Sequence, residues 1–477
     1  MIRPWVVFSV KSPVFFLCTT ALLSLIAAQD YLSAADLPEK SPDYLWAQQG
    51  GSAAADKTRG LATDAAGNIY MTGEYSKTGT FGDFKLESKG ELDFFVAKYS
   101  PAGKCLWVHT GGGSKIDRGY GVAVDAQGNV FVTGHCQSTD AMFDGLACEN
   151  RGGDYDLFVA KYDASGKIQW LKSGGGAGYD YGHGIGVDKA GNCYVTGSMA
   201  GDCEFMGVAT KGGSKSGHVF LAKLNTKGEL GWLRVAGGNG GSAGEHLSTD
   251  AEGNTVVVGG ASGVQTFGDL TLTNKAGRDV YAVKYDTNGK ALWAFGGDGS
   301  TNAAFTSVAL DGRGGVCVCG MFKDTLAIGG QKFQTSGKDP AAGKEYDLFA
   351  AKLDPAGKFR WVRTGSGKGV NYALCVAADE AGNSYVTGEY QFTVTMGETI
   401  MTAKGVRDIY VAKFDDNGAL RWLRSDGGTK GNLGYCVVRD GAGNLFLSGA
   451  FDGETTYGST KLTSQGANDI MLLKLGK

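Results

Sequence analysis

Groups able to do chemistry are few and scattered in this chain of 477 residues. The five histidines, His109, His135, His183, His218 and His246, contain no H-E-x-x-H pair, so helix-borne metal chemistry of that kind is not encoded. His183, Glu245 and His246 form the one grouping in which imidazole and carboxylate would serve as acid and base, or as metal ligands, if the fold brought them together. "GSGKG" at Gly365 lacks the earlier Gly and the following Ser or Thr of a phosphate loop, and no run has the acidic spacing of a calcium loop. Leaving out Cys18, nine cysteines remain, none in C-x-x-C spacing. Cys136 and Cys148 share one connecting segment and are the first disulfide candidate, with Cys193 and Cys203 next. Cys317, Cys319, Cys375 and Cys436 read as buried free thiols. No cofactor and no metal are expected.

Any site must therefore be assembled by the fold, and the fold is written as a repeat. "DAAGNIYMTG" begins at Asp64, and near copies begin at Asp125, Asp188, Asp250, Asp311, Asp379 and Asp440, at spacings of 61, 63, 62, 61, 68 and 61 residues. A period this long marks stacked structural units. The second copy offers four short strands rich in β-branched and aromatic residues: "YGVAVD", "NVFVTG", "DLFVAKYD" and "KIQWLKSGG", here called a, b, c and d. D-x-x-G-N is the a–b turn, its Asp accepting backbone N–H groups and its Gly taking the left-handed conformation. "YDASGKIQW" is the c–d turn. No sustained helical period occurs, so the chain is all-β. Residues that recur in every copy serve the copy: the turn aspartates, the strand-c lysines (Lys98, Lys161, Lys223, Lys284, Lys352, Lys413, Lys474) and the tryptophans. A lysine in an apolar strand needs a carboxylate or carbonyl partner.

The tryptophans indicate how the array ends. After the expected signal peptide they fall at Trp46, Trp107, Trp170, Trp232, Trp293, Trp361 and Trp422. "DYLWAQQGG" at Asp43–Gly51 is a strand d with no a, b or c before it, and "NDIMLLKLG" at Asn468–Gly476 is a strand c with no d after it. Pairing the two closes a seven-bladed β-propeller of four-stranded antiparallel blades, the N-terminal strand completing the last blade. A stacked solenoid would need capping repeats, which are absent.

Residues 43–477 resemble the bacterial seven-bladed β-propeller repeat family, abbreviated SBBP, through "DAQGNVFVTG", "FGDFKLESKG", "DLFVAKYD" and "GKIQW". The resemblance implies a propeller fold in an exported or cell-surface protein and implies no particular reaction. The chain departs from the pattern at Gly315 (for Asn), at His218 (for Asp) and in the insertion before Asp347. The d-strand turn is also similar to the tryptophan-docking repeat of quinone-dependent propeller dehydrogenases, which implies shared blade packing.

Residues 1–35 read as a signal peptide: Arg3 and Lys11 precede an apolar run at Pro13–Ala28, with small residues before cuts after Ala28 or Ala35. About 16 apolar residues fall short of the ~20 that span a membrane. Residues 36–42 are a short lead-in. A formal net charge of −3 without charge runs excludes nucleic acid as a partner, and a secreted, periplasmic or cell-surface monomer is expected. Binding residues favour variable loops, so the site is sought on the face of the b–c and d–a connections. Five residues before each turn Asp stand Arg59, Tyr120, His183, Glu245, Thr306, Leu374 and Tyr435, widely varied in polarity and expected around one channel mouth. Asp117, Arg118, Asp180, Tyr181, His246 and Tyr372 lie beside them in sequence. Such a rim suits a polysaccharide or an extracellular protein, making a binding or scaffold module the leading function. A lyase or hydrolase using His and carboxylate at the same mouth is the alternative.

Overall fold

The computed structural model describes residues 39–152, 154–210, 217–300, 302–335 and 345–477. The expected signal peptide lies outside them. All regular elements among the described residues are β-strands, and no helix there is long and apolar enough to cross a membrane.

In the second copy, strands a (Asp117–Val124), b (Val130–Cys136), c (Asp156–Tyr162) and d (Ile168–Gly176) pair antiparallel in that order. The other copies repeat it. Strands b and c are buried along their whole length, which accounts for their continuous apolar sequence. The expected junction of the chain ends is present. Tyr44–Gly51 ladders with Asp469–Leu475, Ala47 facing Leu473, and serves as strand d beside Asn432–Arg439 and Leu445–Phe451. Strand a of each copy packs on strand a of the next, and Asn432–Arg439 packs on Lys57–Thr63.

The turn chemistry follows the reading. Asp64 Oδ1 accepts the N–H groups of Ala66 and Asn68 at 2.9 Å each, and Oδ2 accepts the Asn68 amide at 2.8 Å and the Tyr70 hydroxyl at 2.9 Å. Asp125, Asp188, Asp250, Asp379 and Asp440 hold their Asn in the same way. At the fifth copy Gly315 removes that amide, and Lys352 takes its place. The Lys352 ammonium lies 2.9 Å from Asp311 Oδ2, also meets Asp416, and donates to the Gly382 carbonyl at 2.7 Å, with its side chain fully buried. The copy keeps its strand order. Lys161, Lys223 and Lys474 donate to carbonyls of the next c–d turn, at Thr226, Thr287 and Pro101, and Lys98 lies over the Tyr70 ring at 5.1 Å.

Those turns also receive the tryptophans. The indole N–H of Trp46 donates to Pro101, Trp170 to Thr226, Trp232 to Thr287, Trp293 to Pro355 and Trp361 to Asp416. The ring covers the turn glycine: a Cβ on Gly418, at φ 80°, would lie 2.7 Å from Trp361.

Two features differ from the four-strand reading. Segments such as "FGDFKLESKG" form hairpins inside the b–c connections. Thr78–Phe81 and Phe84–Glu87 pair onto Tyr44–Gly51, and Met142–Phe143 and Leu146–Ala147 onto Cys105–Gly112, extending these sheets to six strands. Their anchors are buried rings, Phe81 and Phe143, which the sequence presents as loop residues. Second, Asp117 and Asp180 are fully buried and do not line the mouth. Asp117 accepts the N–H groups of Gly113, Gln137 and Ser138 and the Ser138 hydroxyl. Asp180 accepts from Gly176, Ala200 and the Cys203 thiol, so Cys203 is engaged there. These carboxylates satisfy backbone donors that burial would otherwise leave unpaired.

Asp117 faces Asp93 across Gly112, whose Cβ would meet both. At the corresponding fifth-copy junction, the Asn371 amide donates to Asp347 at 3.3 Å. With Asp in place of Asn that donor is missing, and Asp93 Oδ1 is buried without a partner. Burial, with Asp117 beside it, pushes the Asp93 carboxyl up to about 6.

Two outcomes follow. Lys352→Met strips buried carboxylates of their cation and should cost about 3 kcal/mol, against below about 1 kcal/mol for Lys98→Met, read from denaturant midpoints. Asp93 is held above its unfolded value near 3.8, so its contribution is full below that value and lost as pH rises through about 6. Asp93→Asn should therefore stabilise the fold at pH 8, on the order of 1 kcal/mol, and the gain should vanish by about pH 4 in paired melting curves.

Candidate functional site

Each innermost strand carries a β-bulge, and the bulged residue is the one singled out by counting. Register shifts fall between Thr58 and Gly60, Gly119 and Gly121, Gly182 and Gly184, Gly244 and His246, Phe305 and Ser307, Ala373 and Cys375, and Gly434 and Cys436. The extra residues are Arg59, Tyr120, His183, Glu245, Thr306, Leu374 and Tyr435. A bulge leaves one residue unpaired and re-aims its side chain. All seven line a single cavity of about 870 Å³, together with His246, Arg278, Cys375 and Cys436.

Arg59 and Glu245, two of the charged groups at this cavity, are paired. Arg59 grips Glu74 with two hydrogen bonds of 2.6 and 2.7 Å and lies over the Tyr120 ring at 4.9 Å. Glu245 lies 3.3 Å from His183 Nδ1 and 2.7 Å from Arg278. Burial opposes its ionisation, but His183 and Arg278 prevail and hold its carboxyl down at about 2. Burial pushes His246 down to about 4, and its Nδ1 faces the Val308 N–H at 3.5 Å. His183 and Glu245 thus meet as the spacing allowed, whereas His246 is a neutral imidazole turned to backbone. Among the described residues no group of three or more His, Cys, Asp or Glu is placed to hold a metal.

Beside the cavity, between the second and third copies, lies a pocket of about 480 Å³ lined by Arg118, Tyr120, His135, Tyr155, Tyr179, Tyr181, His183, Ser198 and Ala200. Of the residues expected at the mouth, Arg118, Tyr120, Tyr181 and His183 are here, Tyr120 and His183 shared with the larger cavity. Tyr372 is outside both linings and packs on Tyr346 at 5.5 Å. The reading did not single out His135, Tyr155 or Tyr179. Column-by-column comparison of the copies holds the signal. The strand-b position of His135 carries Glu74, Ser198, Gly260, Met321, Glu389 and Ala450 elsewhere. The bridge Tyr155–Tyr179 is matched by Leu92–Ile116, Tyr346–Val370 and Arg407–Gly431.

A repeat family described as "SBBP: Beta-propeller repeat" matches residues 45–74, 110–140 and 169–198, and the chain carries repeats of this family. An uncharacterized WD repeat-containing protein of Acanthamoeba polyphaga mimivirus is 22% identical over 460 residues, covering 78% of this chain and 33% of that protein. The regulatory protein FlaEY of Caulobacter vibrioides is 30% identical over 149 residues, covering 30% of this chain and 16% of its own length. The chain therefore spans a third or less of the curated relatives it matches. Among solved structures, the Pan2 WD40 domain of Neurospora crassa covers 91% of this chain and 98% of its own, at 8% identity and a TM-score of 0.42.

Cys136 follows His135 in strand b, and its sulfur lies 2.6 Å from that of Cys148. In material folded under oxidising conditions, peptide mapping without reductant should recover the two as one linked species. Reduction should lower stability by about 3 kcal/mol for this loop length in a chain-entropy model.

Proposed function

We propose that the chain is a closed seven-bladed β-propeller acting as an exported binding or scaffold module, which takes a polysaccharide or a protein at the mouth of its central cavity. One observation carries the reading: seven bulges bring seven side chains of six different kinds to the lining of one cavity. A position with identical backbone geometry but changing chemistry is suited to selectivity rather than to packing. Closure is supported by the ladder between the first and last strands and by the contact of Asn432–Arg439 with Lys57–Thr63. Export is supported by the charged, apolar and small-residue order of residues 1–35.

The His183–Glu245 contact favours one second reading, a lyase or hydrolase in which Glu245 orients the imidazole. Held ionised by Arg278, Glu245 would serve as the orienting group and not as an acid.

The mature protein is presented to a glycan panel and to cell-surface protein extracts, and the ligand it retains is then measured. The double change Tyr120→Ala with Glu245→Ala should weaken retention at least tenfold, about 1.4 kcal/mol, with the fold retained. Substitution of the exposed turn residue Gln127, at the far end of strand a, should leave retention intact. The opposite pattern would move the site to the turn face.

A further inference from the structure

The pocket between the second and third copies has three properties that together select a class of ligand. Its wall is an unbroken run of six rings. Tyr179 packs on Tyr155 at 5.3 Å, Tyr155 on His135 at 4.2 Å, His135 on Tyr120 at 5.4 Å, Tyr120 on His183 at 4.5 Å, and His183 on Tyr181 at 4.5 Å. Tyr179 at the outer end is 52% exposed, so the aromatic surface begins in solvent and runs inward. The corresponding bridges of other copies place Leu92–Ile116 and Tyr346–Val370 at this level, so the double tyrosine is a local addition to the repeat and not one of its packing residues.

Second, His135 is 2% exposed, and neither of its ring nitrogens has a partner. Burial first, then Arg118 and His183, push it well below the usual imidazole range. It is neutral, with one donor and one acceptor that no protein group pairs. A buried pair of this kind costs free energy unless something supplies its hydrogen bonds. The equivalent glutamates each have an arginine: both oxygens of Glu74 are held by Arg59, and Glu389 Oε1 by Arg407.

Third, the lining includes Arg118 and no carboxylate. Arg118 stands 3.8 Å from Glu74, which is already gripped by Arg59, and Arg118 Nε has no hydrogen-bond partner. Asp154, just outside, accepts from the Tyr179 phenol. A cationic ligand would find aromatic faces but no counter-charge. A nucleic-acid base would stack, but the single arginine does not make the basic track a phosphate chain needs.

Resting on the binding-module reading above, we propose that this pocket is a carbohydrate subsite for a pyranose ring bearing a carboxylate. The ring lays its apolar C–H face on the tyrosines, shares hydroxyls with both nitrogens of His135, and sets its carboxylate against Arg118. A pyranose carries an apolar face and paired donors and acceptors on one rigid ring, which matches an aromatic wall ending in a neutral imidazole.

The test uses the mature chain and an immobilised panel of di- to tetrasaccharides, half neutral and half with one carboxylate per ring, followed by titration in solution. Carboxylate-bearing members should be retained and neutral counterparts held at least tenfold more weakly. Tyr179→Ala, at an exposed position that leaves the fold intact, should reduce affinity tenfold or more. His135→Phe keeps a ring in place and removes both nitrogens, so melting should hold or rise while affinity falls by a similar factor. Arg118→Gln should erase the preference for the acidic sugars. In wild-type protein the ¹⁵N imidazole signals of His135 should move on addition of sugar. The inference is overturned if no member of the panel binds, or if binding survives Tyr179→Ala or His135→Phe. Retention of an acidic peptide or a protein, lost in Tyr179→Ala while sugars are ignored, would overturn the carbohydrate assignment and leave the binding module standing. Binding of nothing, sugar or protein, overturns both.

Discussion

The close approach of neighbouring innermost strands is the constraint on which the rest of the structure depends. A Cβ on Gly60 would stand 2.6 Å from the Tyr120 carbonyl, and one on Gly121 would stand 2.6 Å from the His183 carbonyl. Side chains cannot occupy those points, so the strand alternates between residues pressed on the next copy and residues turned elsewhere. The bulge sits immediately before Gly60 and Gly121. It supplies the one position in each strand that lies outside the ladder, and its side chain lines the cavity, where Tyr120 meets His183 and His183 meets Glu245. Packing thus fixes where variation is tolerated, and there the chain places Arg59, Tyr120, His183 and Glu245.

The same division of labour holds outside the cavity. Several copies join the next through a tryptophan and a strand-c lysine directed at a single turn, as Trp170 and Lys161 share the Thr226 carbonyl. Because the joint is built on backbone carbonyls, the turn sequence can drift between Pro, Thr and Asp without loss. Where one component changes, a neighbour compensates with the same chemistry. Gly315 withdraws an amide from Asp311, and the Lys352 ammonium provides the replacement donor. A departure that looked like irregularity in one copy is a substitution inside a recurring hydrogen-bonding plan.

Much of this was legible in the sequence because the repeat supplies its own internal comparison. The turn aspartates, the tryptophans, the lone first strand and the offset of the mouth residues all recur at fixed positions. The offset was found by counting, but its cause, a bulge, leaves no mark in composition. The hairpins were missed because strands of four residues or fewer between a glycine and a serine read as loop. Asp117 and Asp180 were misread because an acid beside an arginine or a tyrosine looks exposed in one dimension, whereas their carboxylates serve backbone donors on two connections. Tyr179 joins His135 and Tyr155 only across two copies, and no spacing within one copy announces that contact.

Misreading Asp180 also shows how the pocket is held. Side chains alternate across an extended strand, so the residue that points inward fixes the direction of those on either side. Asp180 is clamped by the N–H groups of Gly176 and Ala200 and by the Cys203 thiol. Tyr179 and Tyr181, its neighbours, are therefore presented toward the pocket they both line. Tyr155 is bound to the same strand, its carbonyl accepting the Asp180 N–H at 2.8 Å. An aromatic wall that starts half in solvent gains its order from a buried carboxylate beneath it. The acid found in the sequence belongs to the site as the residue that positions it, not as the group that meets a ligand.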